Sequence, residues 1–413
     1  MNPSTDPSGP SCRSCGRGGP KLVLSLGETP LADVLVTEAG LAGRDLTVPL
    51  DLVFCPRCRL VQITETVSPE ILFAGEYPYF ASVSTTRSDA ARRLAHALIE
   101  RFRLGPGGLV IEPGSNDGYL LRHFVEKGIG VLGIDPARPP AQEAVRIGVP
   151  TRCDFFTLDL ARGLRREGTA ADVVVGNNVL AHVADLNGFV EGTALLLKDD
   201  GVFVAEVAYL VDMLAQSAFD TIYHQHLCYF SILSLDALFR RHGLEIFDVD
   251  RLEAQGGSLR VYVGRNRPAS RRLEAMREEE ERLGIATGAA YGGFKDRVEG
   301  IREDLRALLA DLKGAGRRIA GYGAAAKATT LLSYVGIGRD VLDYVVDLNA
   351  FKQGRYLPGV RLKICPPSRL LEDKPDDVLL LAWNYESEVR RQEASYLEGG
   401  GRFIVPIPRP RVA

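Results

Sequence analysis

Four cysteines stand in two pairs, Cys12-x-x-Cys15 and Cys55-x-x-Cys58. Each such turn brings two thiolates within reach of one ion, and zinc takes about four soft or borderline ligands in a tetrahedron. Two turns complete that set with no open position, so the pairs predict one structural zinc rather than a catalytic one. Cys153, Cys228 and Cys365 are scattered singly.

A second group could move protons. Thr221-Ile-Tyr-His-Gln-His-Leu227 gathers Tyr223, two histidines and Gln225 in one short segment. His182 lies just past the Asn177-Asn178 turn, at the carboxyl end of an expected strand, where parallel sheets hold their ligands. Imidazoles exchange protons near neutral pH, so this cluster is the candidate for acid–base work.

A third group reads as a nucleoside site. Val110-Ile-Glu-Pro-Gly-Ser-Asn-Asp-Gly-Tyr119 runs from an apolar strand through a glycine turn towards a helix. Gly114 lets the backbone approach a ligand closely. No P-loop lysine is present, and Glu112 and Asp117 beside Asn116 would repel phosphate. They suit a cationic, phosphate-free nucleoside, S-adenosylmethionine, over the rival NAD. The next expected strand ends at Asp135, which can accept from ribose hydroxyls. Asp154 and Phe155 follow the third strand-like segment and offer an acid and an aromatic wall to adenine. Asn178 lines the same crevice.

A fourth group suits an anion. Gly321-Tyr-Gly-Ala-Ala-Ala-Lys327 follows a strand and opens a helix, leaving backbone N–H groups for a phosphate. Lys327, Lys352 and Arg355 add charge there.

The elements that position these groups follow from periodicity. Segments 21–26 and 60–64 read as strands around the cysteines, and 88–102 reads as a helix. Strands at 109–112, 131–134, 172–176 and 202–206 alternate with helices, the pattern of a parallel sheet covered on both faces. Strands at 244–249 and 259–263 come next. Residues 267–316 read as a charged, solvated helical connector. A second α/β series has strands at 318–321, 344–347, 378–381 and 403–405. The expected division is a zinc-binding domain over 1–80, an S-adenosylmethionine-binding domain over 81–265, and a connector with a second α/β domain over 266–413. The 413 residues exceed what one ordinary core holds.

A composition 46% hydrophobic and 25% charged, with a formal net charge of −3, offers no global field for nucleic acid. No apolar run approaches the roughly 20 residues of a membrane helix. A cytoplasmic protein, monomeric or weakly self-associating, is the expectation.

Together these residues resemble the sugar C-methyltransferase family of deoxysugar biosynthesis. The likeness takes in both cysteine pairs, Tyr77-Pro-Tyr-Phe80, the turn 112–118, residues 178–185 and 223–226, Gly256-Gly-Ser-Leu-Arg-Val261, the turn 321–327, Lys352-Gln-Gly-Arg-Tyr-Leu-Pro358, Trp383-Asn384 and residues 400–408. The resemblance implies an α/β protein with a class I methyltransferase core, a small zinc domain and a second Rossmann-like domain. It implies C3 methylation of a nucleotide-linked 4-keto-deoxysugar, dTDP-linked, through an enolate, in antibiotic biosynthesis. His226 matches the base-bearing position, Tyr223 its neighbour, and His182 and Tyr77 further active-site positions; Lys327, Lys352, Arg355 and Asn384 match the substrate side. Three departures stand out. Gln225 replaces the usual glutamate, Gln255 replaces a histidine before the Gly-Gly pair, and Glu206-Val-Ala-Tyr-Leu210 lacks the usual proline. An altered proton-transfer reaction such as isomerisation, or a non-catalytic nucleotide-binding protein, is the alternative.

Overall fold

The computed structural model describes residues 10–73, 80–83, 85–252 and 256–413. Tyr77 and Gln255 lie outside the described residues.

β1 (Lys21–Pro30), β2 (Thr47–Phe54) and β3 (Val61–Ile63) pair antiparallel beside the cysteine turns. β2 is not legible as a strand, because Pro49 and Asp51 interrupt its apolar alternation; pairing on both edges holds it.

β4 (Leu109–Pro113), β5 (Gly130–Ile134), β6 (Thr151–Arg152), β7 (Ala171–Asn177) and β8 (Leu197–Ala208) form a parallel array. Runs such as Val173-Val174-Val175 are fully buried, as a sheet covered on both faces requires. β9 (Cys228–Tyr229) then crosses to β3 and becomes the fourth strand of the first sheet. β10 (Glu245–Leu252) and β11 (Ser258–Gly264) return to the second sheet, with β11 antiparallel between β8 and β10. The complete order is β10-β11-β8-β7-β4-β5-β6. Strand order reverses between β4 and β7, and the crevice outside their carboxyl ends is the place such sheets bind ligands.

The third sheet repeats this plan. β12 (Ile319–Tyr322), β13 (Val345–Val346), β14 (Ile364–Cys365), β15 (Asp377–Leu380), β16 (Arg402–Val405) and β17 (Arg411–Val412) run in the order β14-β13-β12-β15-β16-β17. Only β17 is antiparallel, and a second reversal point lies between β12 and β15.

The segment 267–316 corrects the expectation of a solvated connector. It holds the helices Arg271–Arg282 and Phe294–Gly314. Phe294, Val298, Ile301, Leu305 and Leu309 make a buried stripe at helical spacing. Glu280, inside the acidic run 278–281, is fully buried. Its oxygens accept from Ile232 N at 2.6 Å and Leu233 N at 2.9 Å. These are opening amides of the helix Ile232–Arg240, which have no partner within their own helix. Among the described residues no helix is long and apolar enough to cross a membrane.

Candidate active site

The four sulfurs of Cys12, Cys15, Cys55 and Cys58 lie within 4.8 Å of one another. Cys12 and Cys58 are 3.4 Å apart, and Cys15 and Cys55 3.6 Å. A tetrahedral ion with bonds of about 2.3 Å to sulfur needs edges of about 3.8 Å, so the cluster fits one zinc. A left-handed residue follows each turn, Gly16 at φ 69° and Arg59 at φ 64°. The first turn is docked on the second sheet's layer: Asn187 Nδ2 donates to the carbonyls of Arg13 and Ser14, both at 3.1 Å. The cysteine unit is therefore braced against the helix Leu186–Leu196, which packs on the second sheet.

At the reversal point of the second sheet, Gly114 has φ 72° and leads a turn whose Asn116 is itself left-handed at φ 49°. A side chain at Gly114 would press on Val179 at 3.1 Å. Asp135 ends β5 and clamps the turn: Oδ2 accepts from Asn116 N at 2.8 Å and Oδ1 from Ala137 N at 2.9 Å. Asn116 Oδ1 accepts from Ala81 N at 2.8 Å, and Asp117 Oδ2 from Ser82 N at 3.1 Å, so the segment after position 80 folds against the crevice. Glu112 is 1% exposed, and neither of its carboxylate oxygens meets a partner among the described residues. Asp117 Oδ1 and Asn177 Oδ1 are likewise buried without partners there. Burial, with Asp135 and Asp117 adding repulsion, raises the Glu112 carboxyl well above the usual range. A cradle of unsatisfied acceptors is what a cationic donor completes. S-adenosylmethionine, with its ammonium and sulfonium, fits these residues, and a phosphate does not. Asn178 sits beside the cradle, left-handed at φ 54° with its N–H on the Glu206 carbonyl at 2.8 Å. Asp154 is exposed, and its Oδ1 accepts from Phe155 N at 2.9 Å; Phe155 is half-buried. It is Phe156 that packs inward, 5.0 Å from the Phe189 ring.

The segment 219–226 carries Tyr223, His224, Gln225 and His226. Tyr223 Oη lies 2.9 Å from His226 Nε2, and His226 Nδ1 lies 3.1 Å from the Thr221 carbonyl. The carbonyl can only accept, so Nδ1 carries the proton and Nε2 keeps its lone pair, accepting from the tyrosine hydroxyl. Burial, and then neighbouring His182, push the His226 imidazole down to about 3. It is therefore neutral and in its base form near neutral pH. His182 Nδ1 donates to the Gln225 carbonyl at 2.6 Å, and the two imidazole centroids are 4.9 Å apart. Gln225 is buried at 4% exposure. The other histidine of the segment does not join them: His224 Nε2 donates to the carbonyls of Val48 and Pro49 at 3.1 and 3.2 Å, fastening the segment to β2.

At the reversal point of the third sheet, the turn 321–327 is clamped in the same way as the first. Asp347 Oδ2 accepts from Ala324 N and Oδ1 from Asn349 N, both at 2.7 Å. Lys352 Nζ bridges the Ala324 carbonyl and Asp33, both at 2.8 Å. Arg355 is half-buried three residues on. Lys327 turns elsewhere. Its Nζ lies 3.1 Å from Asn384 Oδ1, 3.4 Å from Asp220 Oδ2 and 4.2 Å from the Trp383 ring centre. It shares a small cavity with His226, Tyr209, Tyr229 and Trp383. Spacing along the chain brings together Tyr223, His226 and His182, but it groups Lys327 with Lys352 and misses Asp220 and Asp347. Asp347 is within reach of sequence reasoning: like Asp135, it is a carboxylate ending the strand after a glycine turn.

The folded core and its acidic cradle define a Rossmann-like, S-adenosylmethionine-dependent methyltransferase. Family models match the chain as a zinc binding domain over residues 12–73, a methyltransferase domain over 86–249 and a C-methyltransferase C-terminal domain over 253–408. The chain is 40% identical over 407 residues to C-methyltransferase NovU of Streptomyces niveus, covering 97% of this chain and 96% of that one. Ubiquinone biosynthesis O-methyltransferase of Bartonella tribocorum is 30% identical over 98 residues, 23% of this chain and 40% of that one. Magnesium protoporphyrin IX methyltransferase of Synechocystis, solved with bound S-adenosylmethionine, is 15% identical, covers 43% of this chain and 79% of its own, and has a TM-score of 0.34. The chain belongs to the C-methyltransferase family that includes NovU.

Proposed function

We propose that the substrate is a nucleotide-linked 4-keto-deoxysugar, thymidine diphosphate-linked and met in the cytoplasm, and that methylation falls on C3 through an enolate. The observation that carries this reading is the half-buried Tyr223–His226 pair at 2.9 Å, with its imidazole held in the neutral form. A carbon next to a ketone becomes a nucleophile only after losing a proton, and a positioned neutral imidazole is the group that takes it. Tyr223 holds Nε2 in its acceptor form and gives way to the substrate. When bound at Glu112, Asp117 and Asp135, S-adenosylmethionine supplies the methyl group. The turn 321–327, with Lys352, Arg355 and Asp347 around it, is the place for the nucleoside diphosphate.

Incubation with S-adenosylmethionine and thymidine diphosphate-linked 4-keto-6-deoxy- and 4-keto-2,6-dideoxyhexoses, followed by mass analysis, tests the reading. The expected product carries one extra methyl group on C3. A methylated oxygen or nitrogen, or an isomer of unchanged mass, would replace it with a different reaction.

A further inference from the structure

We propose that Lys327, reaching over from the third sheet, is a catalytic residue: its ammonium faces the ketone oxygen and takes up the negative charge that develops there when the neighbouring proton leaves. The inference rests on the enolate reading of the substrate.

Position comes first. Lys327 belongs to the helix Ala326–Val335, yet its side chain lines the cavity that His226 also lines. The chamber is thus built from two sheets, with a base on one wall and a cation on the other. The base cannot be the only polar group there. The Tyr223 hydroxyl lies on His226 Nε2 and must leave that nitrogen before it can take a proton, and it is Lys327, not Tyr223, that lines the cavity with His226. A second donor is needed for the oxygen, since removing a proton next to a ketone is slow unless the enolate charge is met as it forms.

Surroundings come second. The Lys327 side chain is 13% exposed, and Asp220 opposite it is fully buried. Burial lowers the lysine, while Asp220 opposes that shift. Asp220 is itself fixed by Trp383 Nε1 at 2.7 Å, and its Oδ1 meets no partner among the described residues. The ammonium is therefore held, oriented and poorly hydrated, the state in which a cation stabilises a transition-state charge most strongly. Lys352, whose Nζ contacts the turn 321–327 at the Ala324 carbonyl, and Arg355 three residues on are the cations left for the diphosphate.

The step balances without another reactant. The C3–H bond breaks and its proton passes to His226 Nε2. The electron pair of that bond forms the C3=C4 double bond, and the carbonyl π pair moves onto the oxygen beside Lys327. In the step that follows, C3 would take the methyl group as the methyl–sulfur bond of S-adenosylmethionine breaks and S-adenosylhomocysteine leaves; the C4 carbonyl reforms and the charge leaves Lys327.

The test uses the full chain with thymidine diphosphate-4-keto-2,6-dideoxyglucose in deuterated buffer, with S-adenosylhomocysteine in place of the methyl donor. Lys327→Met keeps the side chain's bulk, and Lys327→Met with Asp220→Asn avoids leaving a buried carboxylate unmatched. Both should slow deuterium entry at C3 by about 100-fold or more, the loss typical of removing one oxyanion donor. Affinity for thymidine diphosphate, measured by calorimetry, should stay within about two-fold, well below the roughly tenfold that 1.4 kcal/mol represents. Unchanged exchange with weakened thymidine diphosphate binding would make Lys327 a diphosphate ligand and overturn the proposal. If the unaltered protein exchanges no proton of this sugar while still binding thymidine diphosphate, the enolate reading itself fails and the proposal falls with it. A double variant that does not melt cooperatively is replaced by Lys327→Arg, which keeps the charge: it should retain more exchange than Lys327→Met, and equal loss in both would also overturn the assignment.

Discussion

The hydroxyl of Tyr223 caps Nε2 of His226 at 2.9 Å, while Thr221 holds the opposite nitrogen. The imidazole is thereby fixed in one tautomer, with its basic nitrogen under the tyrosine hydroxyl. Its affinity for a proton is pushed down to about 3, from an ordinary 6.5. The base form therefore persists on the acidic side of neutrality. The rate of C3 deuterium exchange should show no loss centred on pH 6.5; a limb with that midpoint would mean an ordinary, solvated histidine. The stability consequence has a definite sign. Below 6.5 the unfolded chain binds a proton that the folded His226 refuses, so stability is complete above 6.5 and is lost as pH falls towards 3. His182, also lowered by burial, adds in the same direction. His226→Asn should flatten the decline in melting temperature and slow exchange by about 100-fold or more.

Gln225 holds His182 through its backbone carbonyl and directly precedes His226 in the chain, so a carboxylate at this position adds negative charge near both imidazoles. It would favour their charged forms and strengthen His226 as a base. Gln225→Glu should therefore speed C3 exchange on a 4-keto-sugar and bring the acidic limb up towards neutral pH. A slower variant would show that glutamine is matched to another substrate or reaction.

Glu112 opposes folding of the cofactor-free protein. Its carboxyl, raised by burial, costs stability as pH rises through the ordinary carboxylate range, because ionisation is disfavoured in the folded chain only. Glu112→Gln should raise the melting temperature of the cofactor-free protein and weaken S-adenosylmethionine by about ten-fold, the loss of one charged hydrogen bond. Stability and affinity moving together would contradict this. Asp135→Ala removes the clamp on Asn116 N and Ala137 N. It should weaken the cofactor and also lower stability, with zinc content unchanged in elemental analysis.

Loss of zinc should be felt far from the cysteines. Asn187 holds the first cysteine turn and His224 holds β2, so the metal's brace reaches the segment bearing His226. Cys15→Ser should lower metal content, lower the melting temperature and slow C3 exchange together. Full exchange in metal-free protein would detach the two.

Much of this is legible in the sequence because it is local. The cysteine pairs, the turns opening at Gly114 and Gly321, and the apolar runs of β4, β7 and β8 each announce themselves within a short stretch of chain. Asp135 is legible as a carboxylate ending a strand. What escapes is non-local. Asp220 and Trp383 are 163 residues apart, and no spacing rule joins them. Glu280 sits in a run whose charge reads as solvated; only the distant amides of Ile232 and Leu233 explain its burial. Strands of two residues, such as β6, β9 and β14, carry too little pattern to be seen without their neighbours.

The segment 219–226 is fastened from three sides: His224 to β2, the Ile222 carbonyl to Thr330 at 2.7 Å, and Asp220 to Trp383. Recombining this protein with a relative, to graft a different nucleotide preference onto the same chemistry, therefore has no seam at the start of the third sheet. A chimera that takes Thr330 and Trp383 from one parent and Asp220 and Ile222 from the other inherits a mismatched clasp around its own base. A crossover placed before residue 219 keeps Asp220 with Trp383 and Ile222 with Thr330, so for recombination this stretch belongs with the C-terminal part it touches.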